Sequence, residues 1–472
     1  MNESPLRPKA RTQLFSTKWK GITLAVVGLV VILASVFITF PLQHSADAGG
    51  IGDWSTYMFN VGRSGYNKAE TVINRTSAPN LRVHWMAKAG GMVFSQAVTA
   101  GGVIYWGSFD GYEHATNVNG QELWATNLGQ RSTCAPATPL GVVSTAAVVN
   151  GVVYVGGGDD NLYALNASNG SVLWHTPIGN PSTNTFVWDS PLVYNNSVYI
   201  GAATTGEATG CKLVPGAFYQ LSASNGAVLH TYNTVPPDCV GAGIWASPVF
   251  DTSDGSVYFT TGTEGHCTKT NAIGLVKLRL SDLSYKSSWV IPLADRVHDS
   301  DFGATPTLFL ATINGTSHKM IGVPNKNGVY YAFDRTALST GPLWTKTLSI
   351  GGACPQCGQG SISSGVFDGS RLYVAAGNTT INGQNCRGSL RALKPADGSF
   401  LWETCLGGTV MGAVTLAAGV LAVVAGPALT LVNSSTGAVL YNNRSHFYGS
   451  PTISNGVLYV GSTGNQLYAF GT

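Results

Sequence analysis

Two carboxylates, Asp299 and Asp301, stand two residues apart in a segment that also contains histidine and serine. An ammonium follows at Lys326, with an amide beside it at Asn327, and an indole precedes them at Trp245. A carboxylate can take a proton from a bound molecule, an ammonium can hold an oxygen atom, and an aromatic ring can support a flat ligand. These residue types predict a small-molecule site. The alternative is structural: the carboxylates hold loop backbone, the indole is a core residue and the lysine is a turn residue.

These residues lie in the loops of a repeat that occurs eight times. Each copy begins with a small residue, often Ser-Pro, and continues through short apolar strands to a last strand that usually ends in Trp. The third strands of the copies start at Glu113, Leu162, Phe218, Val276, Tyr330, Leu390, Leu429 and Leu467. Because four short strands cannot bury their own faces, the repeat predicts an all-β, eight-bladed β-propeller whose loops meet around one axis.

The two ends of the chain are predicted to share a blade. The eighth copy stops at Thr472 before its fourth strand, and a strand of the missing type, Leu81 to Trp85, stands at the front of the first copy. An N-terminal strand that completes the last blade would leave no open sheet edge. The aromatic residues at the ends of the outer strands are predicted to pack between adjacent blades.

The N-terminal region differs in composition from the repeat. Residues 21–42 form an apolar run long enough to span a bilayer, and five basic residues against one acidic residue precede it. That bias predicts a cytoplasmic segment at 1–20, a transmembrane anchor or signal peptide at 21–42, a linker and N-terminal extension at 43–78, and the propeller at 79–472. Either the helix is retained and the protein is single-pass in the cell membrane with the propeller outside, or cleavage after Ala48 releases a secreted or periplasmic propeller.

Charge and cysteine content narrow the possible partners. Beyond residue 48 the basic and acidic residues are equal in number, without the basic stripe that nucleic-acid binding needs. All eight cysteines lie in this part, and an even set outside the cell predicts disulfides whose pairing the spacing leaves open. Cys354 and Cys357 form a C-x-x-C pair, which suits a local disulfide in a loop or a redox-active dithiol.

From residue 54 to 472 the repeat resembles that of the pyrroloquinoline quinone (PQQ) dependent alcohol dehydrogenases, and most closely the polyvinyl-alcohol-dehydrogenase-like branch. The resemblance rests on the opening segment 54–65 (WSTYMFNVGRSG) and on the segments 298–309 (HDSDFGATPTLF) and 325–335 (NKNGVYYAFDR). It implies an exported quinoprotein that oxidises a small or polymeric alcohol with PQQ and Ca²⁺. Electrons would pass to an acceptor that the sequence does not identify.

The resemblance also implies roles for individual residues. Asp301 matches the catalytic base and a calcium ligand, and Asp299 is a rival because this chain has one residue fewer between its two acids. Trp245 would stack on the quinone, and Lys326, with Asn327 beside it, would contact the quinone. The remaining calcium ligands would be Glu207 and Thr263.

Three positions depart from the family pattern. Thr263 stands where the family has an asparagine ligand, Pro215 stands where an arginine contacts the quinone, and Cys211 lacks the adjacent cysteine with which many members build a disulfide against the quinone. These departures favour a second hypothesis, in which a non-catalytic propeller at the cell surface binds protein or polysaccharide as a scaffold.

Overall fold

The computed structural model describes residues 52–134, 138–180, 182–205, 210–263, 265, 267 and 270–472. The chain divides into two compact units, residues 1–43 and 44–472, and every described residue belongs to the second. The predicted membrane segment at 21–42 and the cleavage site at Ala48 lie outside the described residues. Within the described ranges, no helix has the length and apolar character needed to cross a membrane.

Eight antiparallel sheets, each built on four strands, form the fold and confirm the predicted eight-bladed propeller. Blades 1 and 2 contain Val98–Ala100, Val103–Gly107, Tyr112–Asn117 and Glu122–Asn127, then Ala147–Val149, Val152–Gly156, Asn161–Asn166 and Val172–Pro177. Blades 3 and 4 contain Leu192–Tyr194, Ser197–Thr204, Ala217–Ser222 and Val228–Asn233, then Val249–Asp251, Ser256–Thr260, Gly274–Arg279 and Tyr285–Val290.

The remaining blades follow the same order from the innermost strand outward. Blades 5 and 6 contain Thr307–Ile313, Thr316–Pro324, Val329–Asp334 and Trp344–Thr347, then Val366–Phe367, Leu372–Ala376, Gly388–Leu393 and Phe400–Leu406. Blades 7 and 8 contain Thr415–Ala417, Val420–Ala425, Ala428–Asn433 and Val439–Arg444, then Phe447–Ser454, Val457–Ser462, Gln466–Gly471 and Arg82–Lys88.

Short elements decorate the loops. Additional strands are Tyr66–Asn67, Arg131–Ser132, Pro139–Leu140, Thr185–Phe186, Thr379–Ile381 and Gln384–Cys386, and single 3₁₀ turns occupy Ala78–Asn80, Leu293–Asp295, Leu338–Thr340 and Pro355–Cys357. None of these elements interrupts the order of the blades.

Blade 8 is closed by the N-terminal strand, as predicted. Arg82–Lys88 pairs antiparallel with Gln466–Gly471, so that Trp85 lies opposite Ala469. The pairing ties the two ends of the propeller together and removes the open edge that the eighth sheet would otherwise expose.

The hydrophobic core lies between blades rather than within them. Tyr154 and Leu162 of blade 2, for example, pack in one buried cluster with Val198 and Ile200 of blade 3. Because the second strand of a blade has a neighbouring blade on each face, it reads as a nearly continuous apolar run rather than an alternating one.

The outer-strand tryptophans join neighbouring blades. Trp124 of blade 1 donates from its indole Nε1 to the carbonyl of Ala167 in blade 2 at 3.0 Å. Its ring lies on Gly170, where a Cβ atom would come within 2.6 Å of the ring. The same pair of contacts is made by Trp85 on Gly120, Trp174 on Gly226, Trp344 on Gly398 and Trp402 on Gly437. The predicted structural role of these residues is confirmed, and the turn glycines are the surfaces on which the rings pack.

Hydroxyl groups at the start of the innermost strands also join the blades. Many of the small residues that open the repeats are serines or threonines, and their hydroxyls make these contacts. A backbone N–H of one blade donates to a hydroxyl of the next. These bonds run from Gln96 to Thr145, Thr145 to Ser190, Ser190 to Ser247, Thr305 to Ser364 and Ala413 to Ser450, at 2.8 to 3.0 Å. The result is an arc of side-chain oxygens around the axis.

The segment that precedes the first blade strand crosses the propeller on its inner side. Backbone N–H groups in the innermost strands of four blades donate to its carbonyls: Thr99 to Trp54, Val148 to Ser55, Phe250 to Val61 and Leu416 to Gly65. Blades 1, 2, 4 and 7 are therefore linked through one stretch of chain, which closes one end of the axial channel.

Arg63 anchors this segment. Its guanidinium is fully buried and donates to the carbonyls of Tyr57, Ser190, Pro191 and Pro248 and to a threonine hydroxyl within the segment, at 2.6 to 3.1 Å. All five donor positions of the side chain are used, so the arginine fixes the segment against blades 3 and 4.

Candidate functional site

A cavity of about 380 Å³ opens at the other end of the axis. Its walls come from the loops that lead into the innermost strands and from those between second and third strands. The lining residues are Thr133, Trp188, Ala203, Thr204, Thr205, Trp245, Asp299, Asp301, Lys326, Ala353, Pro355, Gln356, Ile362, Met411 and Tyr448. The propeller thus gathers residues that are far apart in the chain into one place, and we refer to it as the mouth cavity.

One charged cluster faces the mouth cavity. The Lys326 Nζ atom lies 2.9 Å from Asp299 Oδ2 and 3.2 Å from Asp301 Oδ2. The Thr263 hydroxyl donates to Asp301 Oδ1 at 2.7 Å and lies 3.2 Å from Asp299 Oδ1. The structure therefore brings both candidate bases, the predicted lysine and one predicted metal ligand into direct contact.

The cluster is held from below by a residue that the sequence did not single out as a site residue. The Asn325 side-chain amide donates to the carbonyls of Ser300 and Asp301 at 2.7 and 2.9 Å. Asp299 adopts a φ of 58°, in the left-handed region that aspartate tolerates better than most residues. The amide and this backbone turn together aim both carboxylates at one ammonium. The signal for Asn325 was its place just before the lysine, on a strand-to-strand turn.

Trp245 is positioned by two glycines. Its six-membered ring lies directly against Gly303, where a Cβ atom would collide with it, and Gly262 allows both the indole and Asp301 to approach. The Lys326 ammonium lies 5.4 Å from the centre of the ring. The indole thus forms a half-buried shelf beside the charged cluster.

Burial and the neighbouring charges set the protonation of the cluster. Burial raises the pKa of Asp301, which is only 3% exposed; the Lys326 charge opposes this shift and the Asp299 charge adds to it. For Lys326, burial acts to lower the pKa, but the two carboxylates outweigh it and hold the pKa above its usual value. Lys326 therefore stays charged, and the two carboxylates share its single positive charge.

The rest of the cavity wall is largely apolar. Ile362, Met411 and Tyr448 contribute from blades 6, 7 and 8, and Trp188 is held on the wall by a 2.7 Å hydrogen bond from its Nε1 to the carbonyl of Thr204. The cavity therefore combines a charged part from blades 4 and 5 with an apolar part from the other blades.

One predicted site residue, Asn327, is not part of this cluster in the structure. The Asn327 amide donates to the carbonyl of Asp295 at 3.0 Å and to the hydroxyl of Tyr331 at 2.7 Å, and Asn327 does not line the cavity. Glu207 lies outside the described residues. Pro215 forms an isolated bridge with Gly241 and contributes no charged group.

All eight cysteines form disulfides, as predicted, in pairings that the spacing left open. The pairs are Cys134–Cys211, Cys239–Cys267, Cys354–Cys357 and Cys386–Cys405. Cys211 therefore has a partner from a distant loop in place of an adjacent cysteine. Neighbours of two pairs, Thr133 and Thr205 beside the first and Pro355 within the third, line the mouth cavity. The disulfides hold the loops that shape this cavity.

The side chains of the mouth cavity can be compared with the groups that PQQ and a divalent cation need for binding. Trp245 on its glycine support suits a planar ring, and Lys326 suits a quinone or carboxylate oxygen. One oxygen each of Asp299 and Asp301 lies within 3.2 Å of the Thr263 hydroxyl, and oxygen atoms are the ligands that Ca²⁺ prefers. Among the described residues no group of three or more His, Cys, Asp and Glu side chains is placed to hold a metal. The described side chains therefore fit the ring and supply part of a cation site.

The fold and this cavity define a class of protein: an eight-bladed propeller with one charged cluster at the mouth of its axis. The sequence matches the family model described as outer membrane protein assembly factor BamB over residues 71–235, 110–273, 326–426 and 386–472. These matches cover well over half of the chain, so the chain belongs to this family of PQQ-like propellers. No protein with a curated function matches the sequence.

Solved structures confirm the resemblance at the level of the fold. A quinohemoprotein alcohol dehydrogenase from Comamonas testosteroni is 18% identical with a TM-score of 0.73, covering 90% of this chain and 82% of its own. A europium-containing methanol dehydrogenase is 14% identical with a TM-score of 0.75, covering 90% and 98%. BamB from Moraxella catarrhalis is 15% identical with a TM-score of 0.55, covering 83% and 98%. The likeness to a particular branch of the dehydrogenases stays a prediction.

Proposed function

We propose that the protein binds a planar quinone of the PQQ type in the mouth cavity and oxidises an alcohol there. One observation carries the proposal: Asp301 is a buried carboxylate with a raised pKa, beside the Trp245 shelf and in contact with Lys326. A purely structural carboxylate does not need an open cavity on one side and an aromatic shelf on the other. The fold of two dehydrogenases of known structure supports the same reading.

Each residue has a distinct task in this proposal. When bound, the quinone supplies the group that accepts hydride from the alcohol carbon. Trp245 supports the ring, and Lys326 holds an oxygen of the quinone. Asp301 accepts the hydroxyl proton, because its raised pKa makes it a stronger base than an exposed aspartate. Thr263 orients Asp301 by donating to Oδ1, so the proton would go to Oδ2, the oxygen that also contacts the Lys326 ammonium.

A divalent cation is a further part of the proposal. Asp299, Asp301 and Thr263 would supply oxygen ligands, and Glu207, which lies outside the described residues, is the remaining candidate. A cation here would offset the excess negative charge of two carboxylates against one ammonium, which favours a carboxylated quinone. Electrons would leave to an external acceptor.

We also propose that the propeller lies outside the cell. The basic segment before the apolar run at 21–42 and the four disulfides favour a propeller outside the cell, on a membrane anchor or released after Ala48. Protease added to intact cells should digest the propeller only if it is outside. Protection of the propeller in intact cells, with digestion after lysis, would contradict this placement.

The direct test is titration of the full-length protein with PQQ in the presence of CaCl₂, followed by alcohol-dependent reduction of a dye. Binding should be saturable at micromolar PQQ. The Asp301→Asn variant should retain binding and lose about 10²- to 10⁴-fold in turnover, the usual contribution of a general base. Asp295→Asn is a matched control, since this exposed carboxylate lies nearby and does not line the cavity. Unchanged turnover in Asp301→Asn would exclude Asp301 as the base.

A second function is favoured by one observation, the match to the family model described as an outer membrane assembly factor. In that case the propeller would be a scaffold at the cell surface that binds protein or polysaccharide, without cofactor. Failure of the wild-type protein to bind micromolar PQQ with calcium would favour the scaffold over the enzyme.

A further inference from the structure

A second cavity, of about 220 Å³, lies on the axis and shares Trp188, Trp245 and Met411 with the mouth cavity. We refer to it as the axial chamber. Its other lining residues include Tyr57 of the segment that crosses the propeller and the hydroxyl residues Thr145, Ser190 and Ser247 of blades 2, 3 and 4. The chamber thus lies between the tryptophan shelf and the crossing segment, on the polar inner surface of the blades.

Three hydroxyl protons of the chamber wall have no acceptor among the described residues. Thr145, Ser190 and Ser247 each accept a backbone N–H from the preceding blade, at 2.8 to 3.0 Å. Within the described ranges no acceptor lies in hydrogen-bonding range of the hydroxyl protons of these three residues. A hydroxyl group has one proton to donate in addition to the bonds it accepts, so three donors are available to a bound species.

A buried positive charge lies beside the chamber wall. Arg63 donates to the carbonyls of Tyr57 and Ser190, both of which line the chamber. All of its hydrogen-bond partners are uncharged, and within the described part of the chain no carboxylate comes within 4.0 Å of it. Burial lowers the pKa of Arg63 to about 9, so it remains charged at neutral pH.

No carboxylate of the described residues forms an ion pair with Arg63. Asp189 is buried and accepts from the backbone N–H of Gly201 at 2.9 Å; burial raises its pKa well above the usual value, and the Arg63 charge opposes this shift. Asp299 and Asp301 line the mouth cavity and not the chamber. The wall of the axial chamber therefore combines spare O–H donors with a nearby buried cation that has no described carboxylate within 4.0 Å.

We propose that the axial chamber binds a small monovalent anion of halide size, with chloride as the representative. Its ligands would be the hydroxyls of Thr145, Ser190 and Ser247, with the charge of Arg63 beside the chamber wall. A cation would meet a like charge there, and an uncharged molecule would gain less from the arginine than an anion would. The volume leaves room for water beside the ion, since a water takes about 30 Å³.

The first test is crystallographic. Crystals of the full-length protein, grown without halide and soaked in sodium bromide, should show an anomalous peak in the chamber within hydrogen-bonding distance of at least two of the three hydroxyls. A chamber that contains only water under these conditions would overturn the proposal.

The second test is thermal unfolding of the full-length protein in chloride, with gluconate, an organic anion much larger than a halide, replacing chloride at constant ionic strength. The unfolding midpoint should rise with chloride and saturate, because a ligand that binds only the folded state stabilises it. The Ser247→Ala variant should raise the half-saturating chloride concentration roughly tenfold, the effect of losing one hydrogen bond to a charged group.

Ser144→Ala is the matched control. Ser144 is also fully buried and accepts one backbone N–H, from Gly156 at 3.1 Å, but it does not line the chamber. Both variants should lose stability in gluconate, and only Ser247→Ala should need about tenfold more chloride to reach half of its stabilisation. An equal response in both variants, or no response in the wild type, would refute the anion site. Neither test depends on PQQ, so the proposal stands or falls separately from the proposed enzyme activity.

Discussion

Substitution of Asp160 should change the pH dependence of stability. This residue lies in the loop between the second and third strands of blade 2, and its side chain is fully buried. Neither carboxylate oxygen has a hydrogen-bond partner in the described part of the chain, and its ion pair with Arg131 is long, at 4.0 Å. Its φ of 77° is left-handed, a conformation that asparagine also tolerates, so Asp160→Asn should not strain the backbone.

The size and sign of the effect follow from the pKa. Burial raises the pKa of Asp160 from 3.8 to about 7; Arg131 opposes this shift and Asp159 adds to it. The folded protein therefore holds this proton more tightly than the unfolded chain does. The resulting stabilisation is complete below about pH 4 and is lost as the pH rises through 7. At about 1.4 kcal/mol for each pKa unit, the loss amounts to roughly 4 kcal/mol.

The assay is urea denaturation of wild type and Asp160→Asn between pH 4.5 and 8.5. Asp160→Asn should be close to the wild type in acid and become more stable than it by up to about 4 kcal/mol at pH 8. Asp282→Asn is the control, because Asp282 is exposed and neighbouring serine hydrogen bonds lower its pKa, so its contribution has the opposite sign. A difference between wild type and Asp160→Asn that stays constant from pH 5 to 8 would refute the reasoning.

Two further predictions concern the shelf and the crossing segment. Gly303→Ala should displace the Trp245 ring and weaken PQQ binding at least about tenfold in a PQQ titration, whereas Gly407→Ala, where a Cβ would meet nothing within 4 Å, should bind as the wild type does. Equal PQQ binding by the two glycine variants would show that the ring does not carry the ligand. Arg63→Met should lower the free energy of unfolding in urea by about 3 kcal/mol or more, because it leaves four buried carbonyls without a donor, and unchanged stability would contradict the anchoring role of the segment.

Much of the fold followed from the sequence because the repeat is a local signal that recurs. The strand pattern, the closing strand at Arg82–Lys88 and the packing role of the tryptophans are all confirmed. The pairing of the cysteines could not be derived in the same way. Cys134 and Cys211 are separated by 77 residues and meet only because loops of different blades converge at the mouth.

In the site, too, the residue types could be predicted from the sequence, whereas the directions of the side chains could not. Asp301 and Lys326 were identifiable from their segments. The two asparagines that flank Lys326, Asn325 and Asn327, could not be distinguished from the sequence. Asn325 points under the cluster and holds Asp301 in place, whereas Asn327 faces Tyr331 and Asp295. The direction of each side chain is set by the turn geometry, which residue types alone do not specify.

The sequence by itself determined the number of blades, the closure of the ring and the residue types at its mouth, because each is written into a repeated local pattern. Only the tertiary structure decided that Lys326 lies within 3.2 Å of both carboxylates and that Trp245 rests on Gly303. It alone showed that the segment containing Arg63 crosses the axis and borders a chamber with spare hydroxyl protons. These contacts join residues from different blades, and their distances depend on how the blades pack around the axis rather than on any one segment.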